Sequence, residues 1–151
     1  MKNLLKKLIT THPNSGFSIA RLTLGLVIFP HGAQKLLGLF GGYGYSATIE
    51  MFTTQMGLLS IVAFSVIMIE FFGSISLVLG LFSRFWALSL IGMFLGIIFT
   101  TQLEYGFFMN WFGNQLGEGY EYSLLVIGLA LTVLVNGSGK WSIDTIISKK
   151  Q

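Results

Sequence analysis

The chain has 151 residues, a length that fits one domain, of which 53% are hydrophobic and only 10% charged, against a usual share of about 25% charged. A soluble domain of this size cannot cover its surface with so few charges, so the composition implies lipid as the solvent. Cysteine is absent, which excludes disulfides, thiolate metal sites, iron–sulfur clusters and cysteine nucleophiles, and a scattered net charge of +3 makes no case for nucleic acid.

In residues 1–11, Leu4, Leu5, Leu8 and Ile9 share one helical face, with Lys2, Lys6 and Lys7 at its margins. That pattern predicts a short amphipathic helix lying on the inner leaflet. A frayed basic tail is the alternative, because so short a helix is marginal alone. A cleaved signal peptide does not fit, since Arg21 interrupts the apolar run and no small-x-small site follows. His12-Pro13-Asn14-Ser15 breaks the segment, and Asn14 or Ser15 can cap the helix that comes next.

Four apolar stretches follow, at about 17–38, 57–80, 84–101 and 119–135. Each approaches the roughly 20 residues that a helix needs to cross a hydrocarbon core about 30 Å thick. The runs are long and lack two-residue alternation, and a bilayer forbids unpaired backbone groups, so helices are expected rather than strands. The predicted fold class is therefore all-α: an integral membrane four-helix bundle with a short N-terminal amphipathic interfacial helix, forming a single domain over 1–151.

The connecting segments differ sharply in charge. Lys2, Lys6 and Lys7 precede the first span, Arg84 lies between the second and third, and Lys140, Lys149 and Lys150 follow the fourth. The links 39–56 and 102–118 contain no Lys or Arg and carry Glu50, Glu104 and Glu118 instead. The positive-inside rule then puts both termini on the cytoplasmic side of the membrane.

Glycines punctuate this plan. Gly41-Gly42-Tyr43-Gly44 marks a turn in the first outer link, and Asn136-Gly137-Ser138-Gly139-Lys140 closes the fourth span without Walker spacing. Ser89, Gly92, Gly96 and Thr100 line up along the third span. Such a stripe admits a neighbouring helix closely, within the bundle or between subunits.

The ionisable residues inside the spans carry the functional question, because each costs about 2.5–3.5 kcal/mol at mid-membrane unless it is paired or faces a cavity. On the first span, Lys35 lies about 40° and His31 about 80° around the helix from Arg21, so one face is basic and must point inward. Their counter-charges are Glu70 in the second span and Glu121 at the start of the fourth. Lys35 and Glu121 both belong to the outer half and form a natural pair. Glu70, near mid-membrane, can be reached by His31 from one side or by Arg21 from the other, and the sequence does not choose.

Two readings of this constellation compete. In one, the charges are interhelical pairs that set register, as expected of an Arg21–Glu70 pair, with Arg21 close enough to the interface to snorkel. In the other, the outer-half residues line a polar pocket roofed by the aromatic link 105–112. His12 and His31 fall on opposite sides of the membrane, so a two-histidine haem or metal site is excluded, and a metal held by His31, Glu70 and Glu121 is a weak alternative. A membrane quinone suits an apolar slot with aromatic walls and a few hydrogen-bond donors. His31, Gln34, Lys35, Asn110 and Trp111 can supply those donors.

The chain resembles the DoxX family of small four-span bacterial membrane proteins. The likeness rests on Arg21 with Gly25, on His31-Gly32-Ala33-Gln34-Lys35-Leu36, and on Glu70 with its following glycine. It continues through Phe108-Met109-Asn110-Trp111, Glu118-Gly119-Tyr120-Glu121 and the exit from Gly137 to Asp144. The resemblance implies work at a quinone or thiol redox interface, because the family includes proteins similar to a small subunit of a thiosulfate–quinone oxidoreductase and others tied to oxidative stress. The missing cysteines count against thiol chemistry carried by this chain itself.

The expected function is a quinone-associated membrane redox component, with His31, Gln34, Lys35, Glu70, Asn110, Trp111 and Glu121 around a quinone or similar small aromatic molecule. Its expected partners are the lipid bilayer, a redox subunit or a second copy. A non-enzymatic scaffold subunit and a small transporter for aromatic or lipid-like solutes are the alternatives, although no broken-helix pair marks a midplane ion site.

Overall fold

The computed structural model describes residues 9–149, and every regular element among them is a helix. Helix α1 (Ser15–Leu37) starts where the Asn14 side chain accepts a hydrogen bond from Gly16 N at 2.7 Å. It ends at Gly38, whose left-handed φ of 71° turns the chain back over the helix end. Pro30 sits inside α1 and withholds one backbone N–H, an arrangement that spanning helices tolerate. Helix α3 (Ser60–Leu79) and helix α4 (Ser83–Tyr105) are also long and apolar enough to cross a membrane. Helix α5 (Glu121–Asn136) is apolar but shorter, spanning about 24 Å at the usual rise.

These four helices correspond to the expected spans, with ends shifted by a few residues. The first outer link differs more. It is not simply a turn, because a short helix α2 (Gly44–Glu50) follows the glycines and runs on through a π turn at Met51–Gln55. Further π turns interrupt α3 at Ile69–Gly73 and α4 at Ile98–Gln102. Helix α6 (Ile143–Ser148) closes the described chain. The expected amphipathic helix of residues 1–11 lies outside the described residues, except for its last three positions.

The direction of the helices follows from what meets at one end. The start of α1 lies against the end of α3, because Arg21 donates to the carbonyls of Leu77 and Val78. The start of α4 lies against the end of α5, because Arg84 donates to the Leu134 carbonyl. His12 N donates to Asn136 O at 3.0 Å, which brings α1 and α5 together. Successive long helices therefore alternate in direction, and short connections between them suffice.

Leu24 and Ile28 of α1, Leu77 of α3, Leu90 and Phe94 of α4 and Val126 of α5 lie in one buried core. Between helices in lipid there is no hydrophobic drive like that in water, so close packing and hydrogen bonds must hold the bundle. Gly32 shows the packing. A methyl group there would lie 2.5 Å from Phe71 N and 2.6 Å from Phe71 Cα, so α1 can meet the π turn of α3 only without a side chain.

Arg21 shows the hydrogen bonding. It is wholly buried, and its guanidinium donates to carbonyls of Leu77, Val78 (2.7 Å), Ser138 (2.8 Å) and Trp141 (3.1 Å). The carbonyls at the end of α3 lack partners within the helix and carry its negative dipole end, so a cation is the fitting ligand. Arg21 does not snorkel to the interface and does not pair with Glu70. It fastens α1, α3 and the segment after α5 into one unit.

Asp144 does the complementary work. Its carboxylate accepts from Phe82 N at 2.9 Å and Ser83 N at 3.1 Å, capping the positive end of α4. It also accepts from Ser138 Oγ, and its own N–H donates to Gly80 O at 2.9 Å. Gly80 has a φ of 69°, and a methyl group there would lie 3.1 Å from Arg21 Cζ, so the turn between α3 and α4 needs glycine on both counts.

Candidate functional site

Away from the Arg21 end, the bundle buries another charge. Glu70 lies at the middle of α3, inside the π turn of Ile69–Gly73. A π turn adds one residue to the helical circuit and re-aims the side chains around it, which is why such turns recur at functional sites. The Glu70 carboxylate meets the Lys35 ammonium at 2.6 Å, with the Lys35 side chain 23% and the Glu70 side chain 6% exposed. The close approach of Gly32 to Phe71 sets the two helices at the separation that this ion pair spans.

Lys35 therefore pairs with Glu70 and not with Glu121. Depth counted along Cα positions puts Lys35 too far from mid-membrane to meet Glu70. A lysine stem is long and flexible enough to carry its charge more than a helical turn from its own Cα. Glu121 has a different task, since its carboxylate accepts from Met109 N at 3.3 Å, while Glu118 accepts from Asn110 N at 2.8 Å. Both acids organise the link between α4 and α5.

Lys35 also faces a hollow of about 210 Å³, lined by Gln34, Gly41, Gly42, Tyr43, Thr48 and Met51. Its volume lies below the roughly 300–1,000 Å³ of pockets for drug-sized ligands, and suits a single ring or headgroup. Gln34 donates to Phe40 O at 3.1 Å, which ties the glycine turn over the end of α1. A larger hollow of about 350 Å³ opens at the other end of the bundle between Leu79, Trp141, Ile146 and Lys149. It lacks a convergent pair of charges, so chemistry favours the smaller one.

His31 lies one turn before Lys35 on α1 and is exposed. Its ring is 6.2 Å from the ring of Tyr122 on α5, and Tyr122 in turn packs edge-on against Phe94 of α4 at 5.9 Å. Among the described residues, the Tyr122 hydroxyl is the buried side-chain polar atom left without a hydrogen-bond partner. Such an orphan costs about 1–3 kcal/mol. Next to Tyr122, Ser123 donates to the Gln102 side chain at 2.7 Å, linking α5 to the π turn of α4.

The structure thus brings His31, Lys35 and Glu70 together, places Gln34 on the neighbouring hollow, and adds Tyr122. It does not bring Asn110, Trp111 or Glu121 to this cluster. The Asn110 side chain is occupied at both ends by the Gln115 backbone. Trp111 is 76% exposed, so it does not roof a pocket from within. Sequence reasoning missed Tyr122 and Asp144. A tyrosine four residues before Val126, on the edge of the core stripe of α5, was the available signal for the first. Nothing local marks the second.

The family model for DoxX matches residues 16–103. The chain belongs to the DoxX family. The matched segment contains Arg21, His31, Lys35 and Glu70, but stops short of the Asn110, Glu121 and Gly137–Asp144 pieces of the resemblance. No curated protein and no solved structure matches the chain. Family membership agrees with three helices of spanning length and a shorter fourth, so this DoxX member is a membrane protein.

Proposed function

We propose that this chain is a quinone-associated component of the bacterial inner membrane, with both termini cytoplasmic, that holds a quinone or similar small aromatic molecule in the outer half of its bundle. The observation that supports this reading best is the Lys35–Glu70 ion pair at 2.6 Å, set beside a hollow of ring size. An ion pair serving structure alone would be best sealed from its surroundings, whereas Lys35 remains partly accessible. Its ammonium has three donors and the Glu70 contact takes one. The others can orient a carbonyl oxygen, while Glu70 holds the ammonium in direction.

His31, exposed one turn away, is the group on α1 suited to exchanging a proton with that oxygen. With no cysteine in the chain, electrons would come from a reduced partner subunit. The ring-sized ligand supplies the redox chemistry, and this chain supplies binding and orientation. The test is quinone retention by the purified protein and quinone tolerance of cells, for wild type, Lys35→Ala and His31→Ala. Loss of both properties in folded Lys35→Ala is expected. Unchanged retention and tolerance in both variants would contradict the proposal.

A second reading, a membrane scaffold, draws on the third span. Gly92 and Gly96 have nothing within 4 Å of an added methyl group, so the small-residue stripe does not pack inside the bundle. That face suits a second copy or a redox partner helix. Replacing Gly92 and Gly96 by leucine should then abolish co-purification of a stoichiometric partner without unfolding the bundle, and recovery of an unchanged complex would refute it.

A further inference from the structure

The fourth crossing falls short at one end. Helix α5 covers about 24 Å at the usual helical rise, against roughly 30 Å of hydrocarbon. Its last residue reaches the level ahead of α1, since Asn136 O accepts from His12 N at 3.0 Å. Its start lies lower than the end of α1, because the Tyr122 ring sits beside His31 and α1 runs on past His31 to Leu37. That remaining stretch of α1 is about 9 Å long. The link 106–120 departs from the start of α5, where Tyr120 N donates to Gly106 O at 3.1 Å and Glu121 N to Phe107 O at 2.9 Å. It therefore falls to the link to occupy the depth that α5 leaves.

Irregular backbone at that depth must find its own hydrogen-bond partners, and this link does so. Met109 N and Asn110 N donate to the carboxylates of Glu121 and Glu118. Trp111 N donates to Met109 O at 2.9 Å and Gly113 N to Asn110 O at 3.2 Å. The Asn110 side chain closes the tip, accepting from Gln115 N at 3.1 Å and donating to Gln115 O at 2.9 Å. Outward stand Phe108, Trp111, Phe112 and Leu116, the last two 87% and 99% exposed, and residues 102–118 contain no Lys or Arg. These side chains continue an exposed apolar band that Phe99 and Leu103 begin on α4. An apolar patch rimmed by polar groups marks a surface that is covered, and Trp gathers where membrane meets water. We propose that the link is a lipid-inserted cap, with Phe108, Trp111, Phe112 and Leu116 in the boundary between headgroups and acyl chains of the leaflet farther from Arg21. Exposed Asn114 marks the tip that stays in water. This surface is independent of the ligand reading given above.

The test is tryptophan fluorescence of the full chain in phosphatidylcholine vesicles, plain or brominated near the headgroup end of the acyl chains. Iodide on both sides of the membrane serves as the aqueous quencher. The Trp111 signal is the difference between wild type and Trp111→Phe, a replacement of an exposed side chain whose fold is checked by thermal melting. That signal should lose most of its intensity to the brominated lipid and little to iodide. In a Phe112→Asp, Leu116→Asp double variant, read against its own Trp111→Phe control, lipid quenching should weaken and iodide quenching strengthen. A Trp111 signal quenched by iodide and untouched by brominated lipid would overturn the proposal, and leave the aromatic face to a partner subunit in water. An unchanged quenching pattern in the double variant would overturn it too, by showing that these side chains do not hold the link in lipid.

Discussion

Within the bundle Glu70 and Lys35 are held together at 2.6 Å. Removing one partner of such a pair strands the other and costs about 3–5 kcal/mol, whereas replacing both by neutral groups of similar shape is often close to neutral. Lys35→Met alone should therefore lower the melting temperature sharply, and Lys35→Met with Glu70→Gln should recover most of the loss. A double-mutant cycle in detergent checks this, and additive losses would mean that the 2.6 Å contact is not energetically coupled. Arg21 makes a different prediction. Its fork reaches carbonyls from two parts of the chain, and a lysine cannot satisfy that set from one nitrogen. Arg21→Lys should cost at least about 2 kcal/mol in thermal melts, while leaving benzoquinone affinity unchanged, because Arg21 lies at the other end of the bundle.

The four long helices were legible in the sequence because hydropathy and length are one-dimensional signals, and lipid makes them decisive. The π turns were not legible, since one extra residue in a helical circuit leaves the apolar pattern almost intact. That is why the side on which Glu70 emerges could not be derived. The acid could be named in advance, but the sequence offers it Arg21 or His31 and assigns Lys35 to Glu121, so the Lys35–Glu70 pair needed the real helix separation. Helix α2 was hidden for another reason: Gly44–Glu50 is too short to show a period, and its preceding glycines read as loop. Asp144 caps a helix that begins 61 residues earlier, a relation no local pattern carries. Packing between elements yields its own prediction. Gly32→Ala forces α1 away from the π turn of α3 and should cost about 1–3 kcal/mol. Gly96→Ala, on the open face of α4, should be neutral or stabilising by up to about 1 kcal/mol. Thermal melting of the two variants side by side tests the assignment of inner and outer faces.

At the scale of the whole molecule, the two ends of the bundle have separate duties. One end is a structural knot of Arg21, Asp144, Ser138 and Ser83, tied by hydrogen bonds among buried groups. The other half holds the Lys35–Glu70 pair, exposed His31 and the orphan Tyr122 hydroxyl. Rigidity at one end leaves the other free to keep a partly open polar cluster. The proposed orientation, with the knot on the cytoplasmic side, is testable without background because the chain contains no cysteine. Asn114→Cys, in the link between α4 and α5, should react with an impermeant maleimide added to cells with a permeable outer layer. Lys149→Cys should react only after the inner membrane is opened, and the reverse pattern would invert the topology.

The most direct measurement is mass spectrometry of small molecules extracted from the gently purified protein, with Lys35→Ala prepared in parallel. A quinone or related aromatic carbonyl compound, retained stoichiometrically by the wild type and lost from the folded variant, is the predicted result. Wild-type protein free of such a molecule, or a variant that retains it equally, would contradict a ligand site at Lys35 and Glu70.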